Sequence, residues 1–265
     1  MSIFINFNNA EKSLEVLHTF FANQEIQKQA QITLPKSIKP FSTDHYLYLF
    51  YSCLINYGMK SSTLHENLLK FYEHSPEYFV PSNIVHKYSY SYFHLAELLR
   101  LNIHVRYPNE CARRWLALSV ILNSQYNGNP QEMFKDKTTY YEFKEEISKI
   151  KGFGQKTGGL LLRMLIDNKM LNPIDGISEI PIDRHDIDLS IWLRVIAGAT
   201  ADEIKRNNKL IKSLSDTWVE ASNKLLISPS LADQYLWIIG SQFCTSQRCF
   251  ACPLKGLCVN EGIDT

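Results

Sequence analysis

Apolar residues recur at intervals of three and four along most of the chain, in HYLYLFYSCLINYG, LHENLLKFYEH, YFHLAELLRL, CARRWLALSVILN, FKEEISKI and GGLLLRMLI. That interval marks one face of an α-helix, and no segment sustains the alternation of apolar and polar residues that a half-buried strand shows. The predicted fold class is therefore all-α. Proline-bearing polar breaks at LPKSIKP, HSPEYFVPSN, YPNE, NGNPQ and NPIDGISEIP separate the helices. Connections this short imply that consecutive helices pack closely. No internal repeat, heptad array or low-complexity tail is evident.

A chain of 265 residues can bury a sizeable core, as one large domain or two small ones. Its 45% hydrophobic and 21% charged residues are ordinary for a globular protein. No apolar run reaches the roughly 18 residues that suggest a membrane helix. The polar start MSIFINFNNAEKSLEVL carries acids early and does not resemble a signal peptide. An intracellular protein without a membrane partner is expected. The formal net charge of +1 gives the whole molecule little attraction for polyanions, so any nucleic-acid binding has to be local.

The segment KGFGQKTGG, residues 151–159, places four glycines and two lysines between the helical patterns YYEFKEEISKI and KTGGLLLRMLIDN. Only KGFGQ is left to reverse the chain. Gly152 and Gly154 are expected to supply positive φ values, and Phe153 to plug the angle between the two helices. The amide N–H groups opening the second helix would then point outward, where the helix dipole favours a phosphate. Gly158 and Gly159 each cost a helix about 1 kcal/mol relative to alanine, which suggests close approach of another backbone. An ordinary turn with exposed lysines is the plainer reading.

Two further patterns carry candidate chemistry. SEIPIDRHDIDLSIWLRV sets Asp183, Asp186 and Asp188 before another helix, where Asp186 and Asp188 read as N-terminal caps. All three aspartates as caps is the plainer reading. Of the six cysteines, Cys53 and Cys111 stand singly in apolar helical patterns. Cys244, Cys249, Cys252 and Cys258 crowd together with the spacing C-x4-C-x2-C-x5-C, a ligand set rather than a disulfide framework. Four thiolates so close repel one another unless a metal neutralises them, and either tetrahedral zinc or a [4Fe–4S] cluster answers that need.

IKGFGQKTGGLL resembles the helix-hairpin-helix of the endonuclease III branch of the base-excision DNA glycosylases. The family pattern is Leu-Pro-Gly-hydrophobic-Gly-X-Lys-Thr-Ala, with Lys151 here in place of proline and Gly158 in place of alanine. IDRH resembles the family's hydrophobic-Asp-Thr-His, with Arg184 in place of threonine. QYLWIIGSQFC resembles the helix before the family's cysteine loop, and HYLYLFYSCLINYGMKSSTLHENLLKFYEH the helix, loop and helix that open its six-helix barrel.

The resemblance implies a bilobal, all-α helix-hairpin-helix DNA glycosylase. Its six-helix barrel would cover residues 41–170, with the hairpin at about 140–168. Residues 1–40 and 171–265 would form a discontinuous second domain with an iron–sulfur loop at 244–258. Lys156 is implied as the nucleophile that attacks the deoxyribose C1′, expels the base and permits strand cleavage as an AP lyase. A lysine amine attacks only when neutral, and a helix N-terminus and burial both disfavour the ammonium form. Asp183 is implied as the assisting carboxylate. DNA contacts are expected from Lys151, Gly152, Phe153, Gly154, Gln155, Thr157 and His185, and from Arg248 and Lys255 in the cysteine loop. Tyr57 is a candidate wedge for the gap left by an extruded base, with a core position as the alternative. Gln125, in ILNSQYNG, lies too close to the hairpin to be that wedge. The aromatic stretch HKYSYSYFHL falls where a barrel helix would line the base pocket, although such rings are usually core.

The cofactor expected is a [4Fe–4S] cluster held by Cys244, Cys249, Cys252 and Cys258, with zinc as the alternative. The partner expected is double-stranded DNA carrying a damaged or mispaired base or an abasic site, bound by a monomer. A non-catalytic DNA-binding module that senses damage, or a zinc-stabilised interaction protein, would carry much of the same pattern.

Overall fold

The computed structural model describes residues 3–22, 32–58 and 60–260. In chain order its helices are α1 (Phe7–Phe21), α2 (Thr43–Leu54), α3 (Ser61–His74), α4 (Pro81–Tyr88), α5 (Phe93–Asn102), α6 (Pro108–Tyr126), α7 (Tyr140–Ser148), α8 (Gln155–Asp167), α9 (Arg184–Trp192), α10 (Ala201–Arg206), α11 (Asn208–Lys224) and α12 (Pro229–Ile238). Strand pairing among the described residues is confined to β1 (Phe4–Ile5) against β2 (Ile196–Ala197), antiparallel. The all-α class predicted from periodicity is the class found.

Two compact units divide the chain, one of residues 32–176 and one formed by residues 1–31 together with 177–265. The first is wider than the span 41–170. Ile32 and Ile38 are buried at its start, and at its end Ile174 N–H donates to Thr138 O while Tyr140 N–H donates to Asp175 Oδ1.

The first unit is built around α2. Every residue from His45 to Leu54 is buried, the signature of a helix enclosed on all sides rather than lying on a surface. Tyr51 stacks on Trp115 of α6, 4.3 Å between ring centroids, and its hydroxyl shares a 2.7 Å hydrogen bond with Ser119 Oγ. Trp115 Nε1 donates to Tyr78 O at 3.0 Å, so the polar atoms that these rings bring inward are satisfied.

The second unit buries Leu14 and Leu17 of α1 with Trp218 of α11 and Tyr235 of α12. Trp218 Nε1 donates to Ser190 Oγ of α9 at 3.1 Å. α12 runs on as a wider π-type turn, Ile239–Cys244, that delivers the chain to the four cysteines. Such turns insert an extra residue and re-aim the downstream chain. Here the Thr245 N–H and hydroxyl both donate to Gly240 O, at 3.2 and 2.9 Å.

Candidate DNA-binding hairpin and carboxylate site

The hairpin begins with a capping box. Thr139 Oγ1 accepts the Glu142 N–H, and the Glu142 carboxylate takes the Thr138 and Thr139 N–H groups, each at 2.9 Å. These donors hold the Glu142 carboxyl down to about 2. α7 ends at Ser148 and α8 begins at Gln155, so the reversal starts two residues earlier and ends one residue earlier than periodicity indicates.

Gly152 has φ +109°, and a Cβ there would stand 2.8 Å from Leu54 Cδ1 and 2.9 Å from Arg114 Cδ. Both constraints select glycine. Gly154 differs from expectation: its φ is −81°, and nothing lies within 4 Å of an added Cβ. It is the N-cap of α8 and offers no side chain to the first-turn N–H groups. Gly158 also departs from expectation, because its nearest neighbours would stand 3.5 Å or more from a Cβ, which is ordinary contact. An alanine fits there without another backbone in the way.

Phe153 is 3% exposed and meets Phe50 of α2 edge to face at 5.8 Å, so it closes the angle as predicted. Thr157 is also buried, its hydroxyl donating to Gly152 O at 2.7 Å. That bond locks the turn onto the first turn of α8. Lys151 and Lys156 are exposed, Lys156 within the first turn of α8, while Gln155 is half-buried.

Beside the turn lies a group that sequence reasoning only partly anticipated. Arg114, in contact with Gly152, sets its guanidinium 4.4 Å over the Tyr57 ring. Tyr57 in turn stacks on Tyr107 at 5.9 Å and 4° between planes, and Arg106 lies 5.4 Å over Tyr107. Burial raises the Tyr57 hydroxyl above its ordinary pKa, and that hydroxyl contacts Cys111 Sγ at 3.5 Å. Tyr57 is thus clamped in place, and Tyr107, 47% exposed, is the outward ring. Arg106 and Arg114 in RYPNECARR are the signal from which this strip could have been found. Tyr90 and Phe93 of the aromatic stretch face solvent rather than the core, and Gln125 lies within α6.

In the other unit Asp183 is the N-cap of α9. Its Oδ1 accepts from the His185 N–H at 2.7 Å and the Asp186 N–H at 3.3 Å. Asp186 Oδ2 returns the contact by accepting the Asp183 N–H at 2.7 Å. Asp186 therefore caps as predicted. Asp188 does not: at i+4 from Arg184 it takes the guanidinium at 2.8 Å, and Asp202 takes the other side of that guanidinium. His185 packs against Gly240, where a Cβ would come within 2.5 Å of His185 Cβ.

The four clustered cysteines are partly buried, and Cys244, Cys252 and Cys258 rest on the apolar core of this unit. Burial pushes the Cys244 thiol up to about 12, and the thiols of Cys252, Cys258 and Cys249 add to the shift. Burial also raises Cys252. The four sulfurs thus share one electrostatic neighbourhood, as the donor set of one soft metal centre must. Among the described residues no three such donors close around a single ion. Arg248 and Lys255 in this loop are exposed. Cys53 and Cys111 are buried separately in the first unit.

No protein-family model and no curated protein matches the sequence, but solved structures match nearly its whole length. An endonuclease III trapped as a covalent intermediate with DNA is 17% identical, with 98% of each chain covered and a TM-score of 0.61. A thermostable thymine-DNA glycosylase is 14% identical over 96% of this chain and 97% of its own, with a TM-score of 0.60. The 3-methyladenine DNA glycosylase of H. pylori, bound to 1,N6-ethenoadenine, is 15% identical over 90% of this chain and 98% of its own, with a TM-score of 0.56. The chain shares the all-α helix-hairpin-helix glycosylase fold of these structures.

Proposed function

We propose that the protein is a base-excision DNA glycosylase with AP-lyase activity, in which Lys156 is the nucleophile and Asp183 assists. One observation carries the reading most: Lys156 stands exposed on the first turn of α8, directly after a glycine turn whose N-cap, Gly154, leaves open space at the helix start. The fold is that of an endonuclease III that forms a covalent intermediate with DNA.

The hairpin is the strand-gripping element of this reading. With no side chain at Gly154, a phosphate oxygen can reach the N–H groups that open α8, where the helix dipole adds positive potential. Lys151 supplies a mobile cation beside them, and Arg106, Tyr107, Tyr57 and Arg114 extend the surface with alternating charge and ring faces. Such faces suit an unstacked base. His185, Arg248 and Lys255 contribute contacts from the second unit.

The chemistry follows from nucleotide extrusion, since the C1′ of a stacked nucleotide is not reachable by a side chain. Lys156 Nζ forms a bond to C1′ as the bond from C1′ to the base breaks, and the base leaves with the electron pair. Positive charge grows on the sugar ring in that step, and the Asp183 carboxylate stabilises it. Nζ then gives up a proton, the C1′–O4′ bond breaks with O4′ taking up a proton as a hydroxyl, and the Schiff base so formed permits β-elimination of the 3′ phosphate. Lys156 is exposed in the protein alone, so bound DNA would have to cover it before it reacts.

Cys244, Cys249, Cys252 and Cys258 would hold a [4Fe–4S] cluster, which would supply a rigid fastening for the loop that carries Arg248 and Lys255. The support is the donor set: four soft ligands in one short loop, three of them resting on the core. Zinc is the alternative, and the colour of anaerobically purified protein separates them.

The test is base release from a panel of duplexes, each with one lesion or mismatch, under single-turnover conditions. Release from at least one is expected, and Asp183→Asn should slow it by about a hundredfold or more while leaving duplex affinity within a few-fold. Duplex binding with no release from any member would favour a non-catalytic damage sensor.

A further inference from the structure

Among the described residues three helices open with a reciprocal capping box, and one of them is chemically unlike the others. Thr139 with Glu142 and Thr200 with Glu203 pair a hydroxyl with a carboxylate that is half-buried at Glu142 and exposed at Glu203. Backbone N–H groups hold both glutamates below their ordinary pKa, as the motif normally does. The box at α9 pairs two carboxyls, Asp183 and Asp186.

Asp186 is 3% exposed, and its Oδ1 is buried without a hydrogen-bond partner. A carboxylate in that position would leave a charged oxygen unsatisfied, which is costly away from water. Asp186 and Asp183 cap each other's N–H groups reciprocally, so two ionised carboxylates would set like charges against each other within one box. The charged groups bearing on Asp186 are Asp183 on its own helix and Asp233, 5% exposed, on the packed helix α12. Arg184 is turned to Asp188 and Asp202.

We propose that Asp186 is the proton-holding partner of Asp183: the two share one proton, and Asp186, as a neutral acid, positions Asp183 as a singly charged pair toward the reacting sugar. The role assigned to Asp183 rests on the glycosylase reading; the shared proton does not. Burial, then the charges of Asp183 and Asp233, raise Asp186 well above the ordinary aspartate range, the opposite of the two glutamate boxes. Two coupled carboxyls lose their protons in two macroscopic steps that belong to the pair. Ionisation of the second places two like charges in one box and displaces Asp183.

The direct experiment is a carbon-13 NMR titration of the full chain labelled at aspartate carboxyl carbons. The Asp183 and Asp186 resonances are expected to move together in two steps, the second well above the ordinary carboxylate range. Asp186→Asn should leave a single step at Asp183. Independent titration of the two resonances within the ordinary range would overturn the proposal. In single-turnover base release, Asp186→Leu, which cannot donate, should lose roughly tenfold or more, the worth of a hydrogen bond to a charged group. Asp186→Asn, which can donate, should recover most of that loss and lack the alkaline fall in rate that the wild type shows. An alkaline fall unchanged in Asp186→Asn would overturn the positioning role while the glycosylase reading stands. Coupled titration in a protein that releases no base from any lesion would sustain the shared proton and remove the glycosylase reading instead.

Discussion

Gly152 and Gly158 sit in one hairpin with opposite demands. Gly152 combines a positive φ with close approach to Leu54 and Arg114, whereas Gly158 has helical backbone and room for a methyl group. Gly152→Ala should destabilise the protein by about 1–3 kcal/mol and weaken duplex binding, since backbone strain and a clash add. Gly158→Ala should stabilise it by up to about 1 kcal/mol through helix propensity. Chemical denaturation of the two variants checks both signs, and equal effects would show that the hairpin geometry is misassigned. At this scale the sequence was legible where chemistry is local: Asp186 as a cap depends on Asp183, three positions away, and Phe153 as a plug is the apolar residue between the two glycines of the turn. Gly240 was not legible, because its constraint is the His185 side chain on another helix, distant in sequence. Asp188 was misread because a cap and an i+4 partner for Arg184 look alike until the helix start is known.

The elements arise from periodicity and caps. α2 shows its apolar residues on every side, and burial on all sides is what the structure has. The hairpin was found from KGFGQ because so short a reversal needs glycine, yet which glycine carries the positive φ depends on packing against α2 and α6. The start of α7 invites a pH test. Glu142 is held at about 2 against an ordinary 4.5, so its contribution is fully present above the ordinary value and is lost as pH falls from there toward 2. Glu142→Gln should therefore narrow its stability gap from the wild type as pH falls through that window, read by thermal unfolding at each pH. A gap independent of pH would show that the carboxylate is not bound by the Thr138 and Thr139 N–H groups.

At the scale of the molecule, a net charge of +1 leaves any DNA binding to local features, and in the proposed reading the exposed Lys151, Lys156 and Arg106, with the outward ring of Tyr107, would provide them in the first unit. The all-α class and the motifs of hairpin, aspartate and cysteine loop were legible because each is a short run with its own chemistry. The arginine and tyrosine strip was not, because it joins residues from separate segments of the chain. The central claim is that Lys156 bonds covalently to the sugar. Borohydride reduction during reaction with an abasic-site duplex should convert the Schiff base into a stable amine, giving a protein–DNA adduct that survives denaturing electrophoresis and maps by mass spectrometry to Lys156. Lys156→Ala should yield none; an adduct of equal strength from that variant, or none from the wild type, would contradict the account.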